Sequence, residues 1–424
     1  MADDLSIPGP ASAEDRLASL RARYKKSAAL FERAQRVIPG GIHLSGRPLV
    51  DAETTPMYFA RASGCRIWDV DGNQYIDFLM SFGAYLLGYA RREVEAAAFA
   101  QAQSGRLVSL NHPHHIEFIE ALLPRFPGAE MGVFFRTGSE ATTAAVRIAR
   151  RCTGRRKVAR CGYHGWHDWC LPLEDAVPAG LDDQVPEFRA SEPASLAACF
   201  EQNPGEIAAV ILAPEMVMPH RPEVFTELAR ITSAHGAVFI LDEVKTGLRI
   251  APNSVAERVG VVPDLLTVSK ALGNGFAVAA LLGRRDVMRH GAGLHYSATF
   301  HGDTAAMAAA RKTLAIIDAC AVQAHVHALG QRLIDGLNEL ARAHGVPAEA
   351  YGEPLPPMPF FRFRHGEPEV NTRLTRCFYR EVLARGVLLH PRHMWFISLA
   401  HTPGDIKHTL AVADEALQVA RREL

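Results

Sequence analysis

Residues 237–247 read AVFILDEVKTG and residues 263–275 read PDLLTVSKALGNG. Each opens on a short apolar run of strand length and closes on a charge, Asp242 in the first and Lys270 in the second. Apolar runs that do not alternate are what a sheet covered on both faces requires. Outward from these two, the same kind of run recurs in MGVFF (131–135), KVARC (157–161), IAAVIL (207–212) and VAALLG (278–283), with helical stretches between most of them. Strand alternating with helix predicts an α/β fold with a mostly parallel sheet. Nearer the start, CRIWDVDGNQYIDFL (65–79) alternates apolar and polar residues about Asp71-Gly72-Asn73 and predicts a β-hairpin. Before it, AEDRLASLRARYKKSAALFERAQRV (13–37) has the spacing of one amphipathic helix, stopped by Pro39-Gly40-Gly41. Towards the end, a β-rich and proline-rich stretch (346–363) containing the turn pair GEPLPPMP, a helix over 371–385 and a strand near 394–399 predict a smaller α+β domain.

Composition narrows the function. The 424 residues carry 46 basic and 46 acidic side chains, so the positive excess that binds nucleic acid or a membrane surface is missing. Hydrophobic residues at 48 % and charged ones at 22 % are ordinary for a soluble globular chain. No uncharged apolar run reaches the ~18 residues of a membrane span. The opening MADDLSIPGP is acidic and lacks the apolar core of a secretory signal. Seven cysteines, scattered and without CxxC spacing, read as small buried hydrophobes in a reducing compartment. A cytoplasmic protein is expected.

Four pieces stand at the ends of successive elements, where an open α/β sheet places its ligands. Thr137-Gly138-Ser139-Glu140 follows the strand MGVFF and opens a helix: either a phosphate cradle or an ordinary N-cap. Tyr163-His164-Gly165-Trp166-His167-Asp168 follows KVARC and reads as an aromatic loop able to stack on a flat heterocycle, or as a packed turn. Its two histidines lack a Cys or carboxylate at ligand spacing, so no metal is expected. Asp242 closes a buried strand, where a carboxylate needs a cationic partner such as a protonated pyridine nitrogen, unless it merely caps the next helix. Lys270 lies among Leu, Val, Ala and Leu in a chain with only seven lysines, and burial there would favour the neutral, nucleophilic amine. Cradle, stacking aromatic, Asp and Lys are together what pyridoxal 5′-phosphate requires. Lys245 rivals Lys270, but the ring's N1 and C4 lie at opposite ends, so the lysine should come from a different strand from Asp242.

These same stretches, FFRTGSEATTAAVRIARRCTGRRKV, CGYHGWHDW, LDEVKTGLR, PDLLTVSKALGNGFAVAALLGRRDVM and SATFHGDTAAMAAA, resemble the class III pyridoxal-phosphate aminotransferases, most of all the glutamate-1-semialdehyde 2,1-aminomutase branch. PGGIHLSGRPL near the start and GVLLHP with FISLAHTPGDIKHTL near the end extend the resemblance over nearly the whole chain. It implies fold-type I architecture, with a large cofactor domain (61–305) on a seven-stranded mostly parallel sheet. A C-terminal small domain (306–424) and an N-terminal segment (1–60) packed with it complete the chain. By the same resemblance Thr137, Gly138 and Ser139 bind phosphate, Tyr163 stacks on the pyridine and Val244 packs its other face. Asp242 meets N1, Glu215 lies near the 3′-hydroxyl side, and Lys270 is the catalytic Schiff-base lysine. Thr299 reaches the cofactor phosphate of a neighbouring subunit, which implies a homodimer with shared sites. Arg47 falls where the aminomutases hold the substrate carboxylate.

The departures from the family pattern are specific. Arg136 replaces an Asn before the phosphate loop, and Asp303-Thr304 replaces Asn-Pro after Thr299. Pro391-Arg392-His393-Met394-Trp395 is shorter than the aminomutase stretch and lacks its glutamate, which resembles the β-amino-acid transaminases and makes Arg392 a second carboxylate or hydroxyl contact. The expected activity is amino-group transfer from a donor, with glutamate the plainest, to an oxo or aldehyde acceptor: an amino acid precursor, an oxo-sugar or a cyclitol. An aminomutase, or an epimerase or racemase, would use the same residues. A non-enzymatic relative would have lost Lys270 or Asp242, and both are present.

Overall fold

In the computed structural model, which describes residues 22–42, 56–170, 180–217, 222–352 and 355–424, the apolar runs all become strands. Three short strands come first: β1 (Phe59–Ser63), β2 (Arg66–Asp69) and β3 (Gln74–Asp77). The expected hairpin is β2–β3, antiparallel with Arg66 opposite Ile76. Asp69 closes its turn by accepting from the Asn73 backbone and side chain, both at 2.8 Å.

The large sheet follows, with β4 (Met131–Phe135), β5 (Lys157–Cys161), β6 (Ile207–Leu212), β7 (Val238–Asp242), β8 (Leu265–Val268) and β9 (Ala279–Gly283). Their order is β4-β9-β8-β7-β6-β5, parallel from β5 to β8, with β9 antiparallel to both its neighbours. The sheet has six strands among the described residues rather than seven. The seventh place, beside β5, is held by Pro186–Phe188, which makes one parallel bridge, Arg160 to Glu187. Pro186 has no N–H to continue a ladder.

Every residue of β6, β7, β8 and β9 is buried, as the unbroken apolar runs require. One cover is the helix Gly138–Thr153, whose buried Ala141, Ala144, Ala145, Ile148 and Ala149 recur at helical spacing and let its axis approach the sheet closely. Thr137 and Glu140 form its capping box, and Gly154 ends it in the left-handed conformation (φ 71°).

The C-terminal part contributes β10 (Ala348–Gly352), β11 (Pro359–Phe363) and the two-residue β12 (Val387–Leu388). β12 pairs in parallel with β3, so the N-terminal hairpin and the C-terminal segment share one sheet. The expected helix near 371–385 is Pro368–Ala384. The strand expected near 394–399 does not form. That segment spreads its backbone donors over separate partners, Trp395 to Pro359, Phe396 to Phe78, Ile397 to Pro357 and Leu399 to Leu86, and stitches the parts together without lying in a ladder. Of the N-terminal helix, Lys25–Ala34 is described; residues 13–21 lie outside the described residues.

Ile240 is fully buried at the middle of β7. Ile240→Ala should cost about 2–5 kcal/mol by leaving a cavity there, read as a lower midpoint in thermal unfolding of the purified protein.

Candidate active site

A cavity of about 760 Å³ opens at the carboxyl ends of β7 and β8. Thr137, Gly138, Ser139, Tyr163, Glu215, Asp242, Val244, Lys270 and Arg392, nine of the residues singled out from the sequence, line it. Thr299 is exposed and does not line it. Arg47 lies outside the described residues.

Asp242 is the last residue of β7, and only 4 % of its surface is accessible. Its carboxylate accepts from His164 Nδ1 (2.8 Å), Thr267 Oγ1 (3.0 Å) and the Val244 backbone N–H (3.1 Å). Roughly four lone-pair directions are available on a carboxylate, so a further donor can still be accepted from the cavity. The next helix, Val255–Val259, is capped by Ser254, whose hydroxyl accepts from the Ala256 N–H (3.0 Å), with help from Glu243, which accepts from the backbone N–H groups of Val255 (2.8 Å) and Ala256 (3.0 Å), so Asp242 is not needed there. Burial raises the Glu243 carboxyl to about 7.

The histidines of the aromatic loop go separate ways. His164 is committed to Asp242, and His167 Nδ1 lies 2.7 Å from Thr143 Oγ1. No group of three or more His, Cys, Asp or Glu that would hold a metal occurs among the described residues. Tyr163 lines the cavity and is 56 % exposed. Gly165 lets that loop reach the helix start, since a Cβ there would sit 2.3 Å from Ser139 Oγ, and its φ is +116°.

At the helix start, the Thr137 hydroxyl accepts from the Glu140 N–H (3.3 Å), and the Thr137 N–H donates to the Glu140 carboxylate (2.8 Å). The N–H groups of Gly138 and Ser139 then have no intrahelical acceptor and sit at the positive end of the helix. Val244 packs directly under Gly138: a Cβ there would lie 2.6 Å from Val244 Cγ1. Anion donors, a flat slot floored by Val244, and a carboxylate with acceptor capacity left match the shape and charge of pyridoxal 5′-phosphate.

Lys270 follows β8 and has φ +48°, a left-handed backbone that is rare outside glycine. Burial, and after it the nearby Lys245 ammonium, brings its amine down to about 8. Below that value the buried ammonium burdens the folded chain in full. Between there and the ordinary lysine range the unfolded chain binds more protons, so this group favours folding increasingly as pH rises.

Several contacts around the cavity were not foreseen. Lys245 Nζ lies 2.6 Å from Glu215 Oε1, and the other Glu215 oxygen is buried with no partner among the described residues. Arg136 pairs with Asp303, which also holds Arg106 at 2.7 Å, so two of the family departures are each other's partners. Phe82 belongs to a turn in which Met80, Ser81 and Phe82 all have positive φ (45°, 51° and 54°). The turn is held by Asp77, which accepts from Leu79 N (2.7 Å), and by the buried Arg249, which donates to the Gly83 carbonyl (2.7 Å). His393 and Arg362 complete the far wall with Arg392. Only the Asp77 and Gly83 flanks hinted at this turn, because three consecutive left-handed non-glycine residues break the usual steric rule.

Comparison with known proteins agrees with this geometry. The family model described as aminotransferase class-III matches residues 49–353. The chain belongs to the class-III aminotransferases. It is 32 % identical over 413 residues to the 3-aminobutyryl-CoA aminotransferase of Cloacimonas acidaminovorans, covering 95 % of this chain and 99 % of that one. It is 35 % identical over 432 residues to a glutamate-1-semialdehyde 2,1-aminomutase of Chloroflexus aggregans, covering 93 % and 98 %. Among solved structures it superimposes on the pyridoxal-phosphate form of the FumI protein of a Sphingopyxis species with a TM-score of 0.87 and 32 % identity, covering 95 % and 97 %. Class-III membership brings the fold-type I architecture, pyridoxal 5′-phosphate as cofactor and transaminase chemistry.

Gly138→Ala should drive a methyl into Val244 and narrow the slot. Cofactor retained per chain after dialysis should fall at least tenfold, while far-UV circular dichroism stays at the parent level.

Proposed function

We propose that this class-III enzyme moves an amino group between two separate small molecules, with Lys270 as its catalytic base and Asp242 as the partner of the cofactor's ring nitrogen. The observation that carries the reading is the pairing of a buried, thrice hydrogen-bonded Asp242 with a desolvated Lys270 on adjacent strands of one cavity wall. When bound, pyridoxal 5′-phosphate supplies an aldehyde for the amino group and a ring that takes up the electrons left by the departing proton. Gly138 and Ser139 bind the phosphate through their N–H groups, and Thr137 shapes their turn through its capping box with Glu140. Tyr163 and Val244 confine the ring from its two faces. Glu215 lines the 3′-hydroxyl edge. Lys270 Nζ removes the proton from the amine-bearing carbon as general base and returns it as general acid.

For substrate, Arg392 and Arg362 bring positive charge to the cavity lining, to which Phe82, Phe276, Phe360 and Met394 add apolar surface. This supports a carboxylate donor, with glutamate the plainest, and a bulkier oxo acceptor. Arg47 is the other proposed carboxylate contact. Relatives at full-length coverage include both an aminotransferase and an aminomutase, and the short 391–395 stretch, which lacks the aminomutase glutamate, supports transfer. We also assign Thr299, exposed beside the exposed Phe300, to the phosphate of a neighbouring subunit, in a homodimer with shared sites. The division into residues 1–60, 61–305 and 306–424 belongs to the same reading, as does a cytoplasmic setting, which the seven free cysteines support. No helix among the described residues is long and apolar enough to cross a membrane.

The deciding experiment incubates the yellow protein with single amines and follows conversion to the pyridoxamine-phosphate spectrum with release of one equivalent of oxo product. Recovery of the original spectrum should then need an added carbonyl acceptor. Turnover of one amino-carbonyl compound with no acceptor would replace transfer by the aminomutase reading. Borohydride should fix the cofactor on Lys270, and an adduct mapped to Lys245 would overturn the lysine assignment.

Asp242→Asn separates the roles further. The amide cannot hold a formal charge against the ring nitrogen, whereas Asn caps a helix as well as Asp does. Half-reaction rates should fall by about two decades or more, since a buried charge partner is worth about 3 kcal/mol. Cofactor content should hold, because Gly138 and Ser139 bind the phosphate independently. Near-parental rates at full occupancy would show that Asp242 is not the ring partner.

A further inference from the structure

Two lysines line one cavity, each just beyond the end of one of two paired strands. Asp242 of β7 pairs with Thr267 of β8, and Lys245 and Lys270 each follow three residues later on these parallel neighbours. Both stand at carboxyl ends of strands in the wall of the same cavity. Two ammonium groups confined there repel, and the proton leaves the one with less compensation.

The compensation is unequal. Lys245 Nζ is held by Glu215 at 2.6 Å, with the lysine side chain 13 % exposed and the glutamate 5 %. No carboxylate within ion-pair distance of Lys270 is found among the described residues. Its surroundings comprise Lys245, Glu215, Asp242, Arg249 and His393. Asp242 already accepts from His164, Thr267 and the Val244 N–H, and Glu215 from Lys245, and each of these carboxylates acts on the Lys270 amine less than Lys245 does. Arg249 adds a buried positive charge, bound to the carbonyls of Ile397 (2.9 Å) and Gly83 (2.7 Å). Burial, joined by the charges of Lys245 and Lys270, pushes the His393 imidazole down to about 4 against the Met394 carbonyl that accepts from its Nδ1 (2.8 Å), so it is neutral in the physiological range. Cationic neighbours of Lys270 that carry charge near neutral pH are therefore Lys245 and Arg249.

We propose that Lys245, pinned by Glu215, is a charge-setting residue: it fixes a positive charge beside Lys270, so that Lys270 and not Lys245 is the amine free to act as nucleophile and base. This deepens the transaminase reading and rests on it only for the use to which Lys270 is put. It also explains why a second lysine can sit in the site without competing for the cofactor aldehyde.

The test reads each lysine separately. The full-length chain, freed of cofactor, is labelled with acetic anhydride across pH 6–10, and acetylation of each lysine is quantified by mass spectrometry. In the parent, Lys270 labelling should level off above pH about 8, with Lys245 far less reactive at neutral pH. In Lys245→Met the midpoint of Lys270 should rise, lowering its labelling at pH 7.5 on the order of fivefold, while Lys245→Arg should keep the parent midpoint. If Lys245→Met does not fold by circular dichroism, Glu215→Gln gives the second reading. Without its carboxylate, Lys245 should become acetylated at neutral pH at least severalfold faster than in the parent. An unchanged Lys270 midpoint in Lys245→Met, or Lys245 as inert in Glu215→Gln as in the parent, would overturn the proposal. Because no cofactor is present, these outcomes are independent of the borohydride mapping, which alone decides where the cofactor attaches.

Discussion

At the end of β7 a carboxylate sits where every neighbouring strand residue is buried, and it persists because three donors reach it. One comes from β8 through Thr267, one from the turn that follows, and one from the loop after β5 through His164. Each ties a different segment to the same two oxygens. The β5 loop thereby carries Tyr163 to the cavity. The turn carries Val244 beneath Gly138, and β8 delivers Lys270 three residues beyond its threonine. A buried carboxylate left with fewer donors would cost several kcal/mol, so the geometry around Asp242 constrains the backbone of all three.

The unbroken apolar runs made the large sheet readable, because burial on both faces removes any alternation that would blur the pattern. The helix start at Thr137, the burial of Asp242 and the apolar setting of Lys270 were legible for the same reason: each is a polar residue at the end of a hydrophobic run. What escaped was set by partners distant in sequence. Lys245 reads as a rival base until Glu215, thirty residues earlier, is found against it. Arg136 and Asp303 read as two unrelated departures until they meet. The segment 394–399 carries a strand's composition but serves four separate acceptors, and no local pattern encodes that.

The hairpin and the C-terminal segment are joined by the same logic. β12 is only two residues long, yet by pairing with β3 it places the C-terminal segment against the hairpin. Arg249, fully buried, bridges the carbonyls of Ile397 and Gly83 and stacks its guanidinium over Phe396 at 4.9 Å. A guanidinium with no carboxylate paired to it among the described residues is an unusual choice for a core. Here it satisfies carbonyls that the irregular 394–399 segment and the left-handed turn leave outside any ladder, and it couples the wall carrying Arg392 to the wall carrying Phe82.

That left-handed turn limits how the pocket can diversify. Residue 82 lines the cavity, so it is an obvious place to enlarge or shrink it, but its backbone excludes part of the amino-acid alphabet. Valine, isoleucine and threonine crowd a positive φ through their branched Cβ, so a saturation library at this position should yield folded members mainly among unbranched, aromatic and asparagine-like side chains. Adjacent Gly83 is more restricted still, because a Cβ there would lie 2.7 Å from the Phe396 ring. Substrate range in this protein should therefore drift through the bulk of residue 82 and the charges of the opposite wall, while the path of the chain between Met80 and Gly83 stays fixed.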